Sequence, residues 1–333
     1  MQAVNWGIIG TAKIAREKVI PALQRSRLCR VQAIASRNQT TARQVADQLG
    51  IADAYGSYEA LLADPTIEAV YIPLPNHLHV SLARQADEAG KHVLCEKPLA
   101  LNASEAESLL EVRDRCGVQI MEAFMVRTHP QWLRTRELIR QGEIGTVRAV
   151  QVFFSYTNRD PDNVRNQADI GGGGLMDIGC YAITAARFCF EAEPVRVFGR
   201  LEYDPQMNID RLTSAILDFP DGQATFTCST QLVPYQRVHV FGEQGRIEIQ
   251  TPFNAPADRT TRLFIDDGSQ LGDASARSED FDPVDQYTVQ GDLFAEAIRT
   301  GKPQTLSLED SVTGMRIIDA LVRSGESGHW ENP

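Results

Sequence analysis

The sequence predicts an α/β protein: a doubly wound parallel sheet over residues 1–124, then an α+β domain over residues 125–333 built on a large, open, mostly antiparallel sheet. Three observations lead there. The chain has 333 residues, about twice a typical domain of about 150. Its first part alternates short β-rich runs with helical stretches of about 10 to 15 residues, the pattern of βαβ units and a parallel sheet. Its second part runs strand after strand with few helices between them, which requires mostly antiparallel pairing.

The elements follow in order. Ala3-Val4-Asn5-Trp6-Gly7-Ile8-Ile9 is an apolar strand ending at Gly10, and Ile14, Val19, Ile20 and Leu23 recur at helical spacing up to Ser26. Arg30–Ala35 reads as the second strand and Thr41–Leu49 as a helix closed by Gly50. Ala69–Ile72, a helix over Leu78–Ala89, and His92–Cys95 come next. Asn102 then stands as N-cap three residues before Glu105, opening a helix that stops near Gly117, and Val118–Met121 closes the series. Beyond it a helix over Gln131–Gln141 leads to the strand Val147–Tyr156, a polar Gly-rich loop to Gly174, and a helix over Leu175–Phe190. Strands are expected at Val195–Tyr203, Leu212–Phe219, Ala224–Gln231, Val238–Phe241, Arg246–Gln250 and Arg262–Ile265, with a hairpin turn at Asp221-Gly222. Asp266–Asp285 reads as a surface loop, and helices near Gly291–Arg299 and Leu308–Ser324 end the chain.

Composition excludes several classes of function. Thirty-three Lys and Arg against 44 Asp and Glu give a net charge of −11, opposite to the basic surface that a nucleic acid or an anionic membrane attracts. No apolar run approaches the roughly 18 residues of a membrane span. With a strand expected from the first residues, no leader peptide is expected. Six cysteines without a CxxC pair read as buried free thiols in a reducing cytoplasm. His77 and His79 are the only close histidine pair, so no metal site is expected.

Chemistry first appears at the turn Gly10-Thr11-Ala12-Lys13-Ile14-Ala15. It matches G-x-G-x-x-G/A with Ala12 in the middle: Gly10 permits the tight turn, Ala12 leaves room for a pyrophosphate, and Ala15 lets helix and strand pack closely. The following helix start offers unpaired N–H groups to that anion. Where an NAD-binding chain carries an acid at the end of its second strand, this one has Ser36-Arg37-Asn38 and no acid until Asp47. A hydroxyl and a guanidinium suit a 2′-phosphate, which favours NADP over NAD. A surface arginine at a strand end is the plain alternative.

Three further segments are Ile72-Pro73-Leu74-Pro75-Asn76-His77-Leu78-His79, Cys95-Glu96-Lys97-Pro98-Leu99, and Gly171-Gly172-Gly173-Gly174-Leu175-Met176-Asp177-Ile178-Gly179-Cys180-Tyr181. With the Gly7–Ala15 turn, they resemble the glucose–fructose oxidoreductase, inositol dehydrogenase and MocA family, over nearly the whole chain. Thr11-Ala12, Ser36-Arg37, Glu122-Ala123-Phe124-Met125, Arg127-x-His129-Pro130 and Tyr181 are similar to its dihydrodiol and xylose dehydrogenase branch. The resemblance implies a Rossmann domain, a C-terminal domain with an open sheet, and a nicotinamide cofactor in a cleft. It implies that Lys97 is catalytic, that Glu96 contacts the cofactor ribose, and that Pro73, Leu74 and Asn76 wall the nicotinamide side, with His79 nearby. Asp177 matches the family's motif acid. Tyr181 stands where many relatives carry His.

Hydride loss from an alcohol or hemiacetal needs a base for the hydroxyl proton. At 3.6 residues per turn Asp177 and Tyr181 lie about 40° apart on one helix face, roughly 125° from the apolar stripe. The four glycines before them are expected to let the backbone pass close to a ligand. A nearby Lys97 ammonium would stabilise a Tyr181 phenolate, making Tyr181 base in oxidation and acid in reduction, while Asp177 orients substrate or Lys97. Arg127, His129 and Arg165 are further candidates for substrate hydroxyls. The expected activity is NADP-dependent oxidation of a sugar or cyclic diol, aldopyranose to lactone, or reduction of a keto-sugar. A catalytically silent, cofactor-binding regulator of the same fold is the competing class. The open sheet is the expected surface of a homodimer or homotetramer.

Overall fold

The structure, a computed structural model, describes residues 1–304 and 306–333. It comprises two compact units: Met1–Met125 with Asp285–Val312, and Val126–Val284 with Thr313–Pro333.

In the first unit β1 (Val4–Ile9), β2 (Cys29–Ala35), β3 (Asp53–Tyr55), β4 (Ala69–Ile72), β5 (His92–Cys95) and β6 (Ile120–Glu122) make one sheet in the order β3-β2-β1-β4-β5-β6. All its pairs are parallel. The order reverses between β1 and β4, so a crevice opens outside their carboxyl ends, where such sheets bind ligands. Strands covered on both faces need apolar residues at nearly every position, and β4 is buried throughout. The three half-buried residues of β3 carry no such run, which is why the sequence showed five strands. Asn102 caps its helix by accepting from the Glu105 N–H at 2.9 Å, as expected. The first helix opens with a π turn, Ala15–Val19, before the α-helical Ile20–Arg25. Its wider spacing accommodates Pro21, which has no N–H to give and would crowd the carbonyl four residues back in an α turn.

The division after residue 124 needs one correction. Helix Gln286–Thr300 packs with the first unit: Phe294 lies 5.6 Å from Trp6, the Thr288 hydroxyl donates to Ala22 O at 3.0 Å, and Asp292 and Asp285 pair with Ser26 and Arg25. A return crossing of the chain leaves no local signal in the residues themselves.

In the second unit β7 (Val147–Thr157), β8 (Arg196–Tyr203), β9 (Asp210–Phe219), β10 (Gly222–Ser229), β11 (Gln231–Gly242), β12 (Arg246–Ile249), β13 (Thr261–Asp266) and β14 (Arg277–Phe281) form a sheet in the order β14-β13-β12-β11-β7-β10-β9-β8. Only β7 and β10 run parallel. Val150, Val152 and Phe154 point to the buried face, while Gln151 and Phe153 point outward. Helix Cys180–Phe190 lies on the inner side, with every residue from Cys180 to Cys189 buried. β14 was expected as loop: Arg-Ser-Glu-Asp-Phe has no apolar alternation, and its pairing with β13 is reinforced by Arg262 donating to Asp280 at 2.8 Å.

Candidate active site

Unit one gathers its motif residues at the carboxyl edge of its sheet. Gly10 ends β1 with φ +107, and a Cβ there would lie 2.6 Å from Leu74 Cδ2, in the turn after β4. Only glycine fits that backbone and that gap. Thr11 and Ala12 are half-buried, Lys13 is exposed and reaches Glu17, and Ile14 leads into the π turn. Ser36 follows β2, its N–H bonded to Tyr55 O, and Arg37 is exposed beside it. The Arg37 guanidinium acts on the Tyr58 phenol, which itself stands 3.9 Å from the would-be Gly10 Cβ. A cation thus sits next to the glycine turn. Of the acids around this turn, Asp47 accepts from Arg43 at 2.8 Å and Asp53 from Gln32, while Glu59 acts on the same Tyr58 phenol as Arg37. The glycine cradle and the Arg37 cation fit a dinucleotide that carries an extra phosphate.

The Lys97 segment is held from both sides. Glu96 N–H donates to Ile72 O at 3.0 Å, and the Glu96 carboxylate accepts from the buried Tyr71 hydroxyl at 2.5 Å. Leu99 N–H donates to the buried Glu122 carboxylate at 2.8 Å. His79 is fully buried, with Nδ1 2.8 Å from Pro98 O and Nε2 2.7 Å from Leu74 O. Burial lowers its pKa to about 4, so the neutral ring donates to one of these carbonyls at a time. That corrects the expectation of a cofactor contact at His79: both ring nitrogens face backbone, joining the turn after β4 to the turn after β5. Pro73 is buried in the same turn, and Asn76 opens the short 3-10 turn Asn76–Leu78. Tyr287 stands near enough to Glu96 and Lys97 to feel both charges, and burial pushes its phenol well up.

In unit two the helix behind the four glycines opens with a π turn, Leu175–Gly179. Asp177 has both oxygens engaged: Tyr156 donates to Oδ2 at 2.5 Å and Arg165 to Oδ1 at 3.1 Å. Tyr181 is 7% exposed, its ring 5.8 Å from Phe154 and 5.3 Å from Phe253. The helix has no open polar face, so the angular argument from an apolar stripe fails; the aromatic cluster, not amphipathicity, orients Tyr181. The glycines also do something other than expected. Gly173 has φ +122, and a Cβ there would meet Asp210 Oδ1 at 2.1 Å; one at Gly172 would meet the carbonyls of Gln167 and Arg165 within 2.7 Å. They wrap a buried carboxylate and a neighbouring turn.

The remaining candidates separate. His129 is 1% exposed and accepts from the Gln131 N–H at 3.2 Å, capping helix Pro130–Arg140; burial holds its pKa near 4. Its Nδ1 serves as the cap, while its buried Nε2 has no hydrogen-bond partner among the described residues. Arg127 lies over the Phe188 ring at 5.7 Å, and Arg165 is the partner of Asp177. Sequence reading missed Tyr71, Tyr156, Tyr287 and Asp210, each a single polar residue in a strand or helix whose partner is remote along the chain. Among the described residues no group of three or more His, Cys, Asp or Glu is placed to hold a metal, and no helix is long and apolar enough to cross a membrane.

Comparisons with known proteins identify the family. Residues 4–124 match the model of an oxidoreductase family with an NAD-binding Rossmann fold, and residues 132–248 match the GFO/IDH/MocA C-terminal domain. An uncharacterized oxidoreductase of Rhizobium meliloti is 51% identical, covering 99% of both chains. D-xylose 1-dehydrogenase (NADP(+)) 2 of Haloferax volcanii is 41% identical, covering 97% of this chain and 98% of that one. Among solved structures, a 3-ketoreductase from Actinomadura kijaniata in complex with NADP and TDP-benzene superposes with a TM-score of 0.90 at 31% identity, covering 97% of this chain and 98% of that one.

Proposed function

The chain belongs to the GFO/IDH/MocA oxidoreductase family, and on that premise we propose that it is an NADP-dependent dehydrogenase of sugars or cyclic diols, oxidising an aldopyranose to its lactone or reducing a keto-sugar. The observation that carries this reading is the immobilised Lys97 segment at the carboxyl edge of the sheet, in the same unit as the glycine cradle and the Arg37 cation. A preorganised ammonium is what an oxygen gaining negative charge requires. The named activities of the xylose dehydrogenase and the ketoreductase support the same chemistry in its two directions.

Gly10, Thr11, Ala12, Lys13 and Ile14 would hold the pyrophosphate side, Ser36 and Arg37 the 2′-phosphate, Pro73, Leu74 and Asn76 the nicotinamide side, and Glu96 the ribose. The bound cofactor supplies a carrier that takes or gives hydride. Lys97 stabilises the substrate oxygen as its proton leaves; Tyr181, as the phenolate, accepts that proton in oxidation and, as the phenol, returns it in reduction. Asp177, with Tyr156 and Arg165 fixing both oxygens, orients the substrate. Arg127 is a further candidate for a substrate hydroxyl.

The outward face of the second sheet supports self-association. Phe153, Phe198 and Tyr235 surround a cavity of about 520 Å³ there, with Arg200 and Arg237 at its walls. We assign this face to a homodimer or homotetramer contact, to be checked by analytical ultracentrifugation of wild type and Phe153→Asp. Six free cysteines, five of them buried, support a reducing cytoplasmic location. The function is tested by screening NADP reduction against xylose, glucose, inositol and trans-dihydrodiols, and NADPH oxidation against keto-sugars. Turnover on one class is expected; NADPH binding with no turnover on any would leave the regulator reading.

A further inference from the structure

Asp210 begins β9 and is 6% exposed. Oδ2 accepts from the Leu175 N–H at 2.6 Å and from the Thr213 hydroxyl at 2.7 Å. The backbone N–H groups of Gly174 and of Asp210 itself also bond to it. Against Oδ1 lies Gly173, whose left-handed backbone leaves no room for a Cβ. The carboxylate is therefore surrounded by donors and enclosed by the glycine segment. Asp177 follows Leu175 by two residues and Tyr181 follows it by six.

We propose that Asp210 is a positioning residue: it anchors the first turn of the helix that carries Asp177 and Tyr181 and thereby sets where those two side chains stand. The proposal rests on the functional reading of Asp177 and Tyr181 given above. A short charge-assisted bond to a backbone N–H fixes a helix start more firmly than a neutral one does. The glycine run supplies the shape for it, since side chains at Gly173 or Gly174 would displace the carboxylate or the backbone.

The anchor should depend on charge. Burial pushes the Asp210 pKa up to about 6, against the pull of its four donors. The titratable groups that feel it are the Cys228 thiol on β10 and the Tyr203 phenol on β8, both pushed upward in part by this carboxylate; Asp177 on the anchored helix also acts on Cys228. Cys228 and Tyr203 stay protonated while Asp210 titrates. Protonation would turn one acceptor oxygen into a donor facing donors, loosening the turn.

The test uses the full chain as wild type, Asp210→Asn and Thr213→Val, with D-xylose and NADP as probes. Amide hydrogen exchange over residues 174–181 is measured without substrate, and kcat is measured against pH. In Asp210→Asn, exchange over 174–181 should accelerate about tenfold or more while β1–β6 stay unchanged, and kcat should fall about tenfold with NADPH affinity kept. Wild-type kcat should decline below about pH 6, that limb should vanish in Asp210→Asn, and loss of one donor in Thr213→Val should move it upward by roughly half a unit or more. Unchanged exchange over 174–181, or an acid limb at the same pH in all three proteins, overturns the proposal. Should Asp210→Asn fail to fold, the limb in Thr213→Val decides. A wild type without turnover refutes the functional reading for this sugar, and the exchange data then decide the anchor alone.

Discussion

The buried hydroxyl of Tyr71 donates to Oε1 of Glu96 at 2.5 Å. Full burial and the adjacent carboxylate push the phenol's pKa far up, so it remains a donor at any working pH. Tyr71→Phe removes the bond and leaves the buried ring. Because hydrogen bonds to charged groups contribute about 1.5–3 kcal/mol, kcat/KM should fall roughly ten- to hundredfold and the melting temperature by several degrees. Steady-state kinetics and a thermal melt check both halves.

Gly10→Ala should weaken cofactor binding. Its φ of +107 strains any residue with a Cβ, and the added methyl would push the Leu74 side chain, 2.6 Å away, out of its place. The conformational term alone is about 1–2 kcal/mol. NADPH fluorescence titration should show at least a tenfold weaker Kd, and an unchanged Kd would remove the turn from the binding site.

Arg37→Ala should shift the preference between cofactors. Arg37 is exposed just after β2, and its guanidinium acts on Tyr58 beside the glycine turn. Loss of a charge-assisted fork predicts about a ten- to hundredfold lower NADP-to-NAD ratio of kcat/KM. An unaltered ratio places the selection elsewhere.

Asp87 is fully buried, and neither carboxylate oxygen has a hydrogen-bond partner among the described residues. Burial raises its pKa from 3.8 to about 6. The folded protein therefore holds this proton more tightly than the unfolded chain does, so wild-type stability falls as pH rises from about 4 to about 6 and stays reduced above that. Asp87→Ala should gain about 1–3 kcal/mol relative to wild type on going from pH 4 to pH 8. Urea melts at the two pH values measure it; a difference independent of pH contradicts it.

What the sequence revealed divides along physical lines. Hydrophobic runs such as Ala69–Ile72 and the capping pair Asn102 and Glu105 act locally, and they placed most strands and helix ends within a few residues. The glycine turn and the Glu96-Lys97-Pro98 motif were legible because each is a contiguous run of particular residues at fixed spacing. Tyr71, Tyr156 and Asp210 were not, because each acts through a partner 21 to 35 residues away that only folding brings close. His79 was misjudged for the opposite reason: a histidine beside a motif looks chemical, while its burial between two backbone carbonyls decides its role. The four glycines read as clearance for a ligand and instead clear space for Asp210.

The central claim is that Tyr181 exchanges the substrate proton while other residues hold the cofactor. Measuring kcat and NADPH affinity side by side for wild type and Tyr181→Phe tests it most directly. The aromatic contacts with Phe154 and Phe253 survive that change, so the expected result is an unchanged NADPH Kd with kcat lowered about 10²- to 10⁴-fold. A variant with wild-type kcat would contradict it and leave Lys97 as the only acid–base candidate.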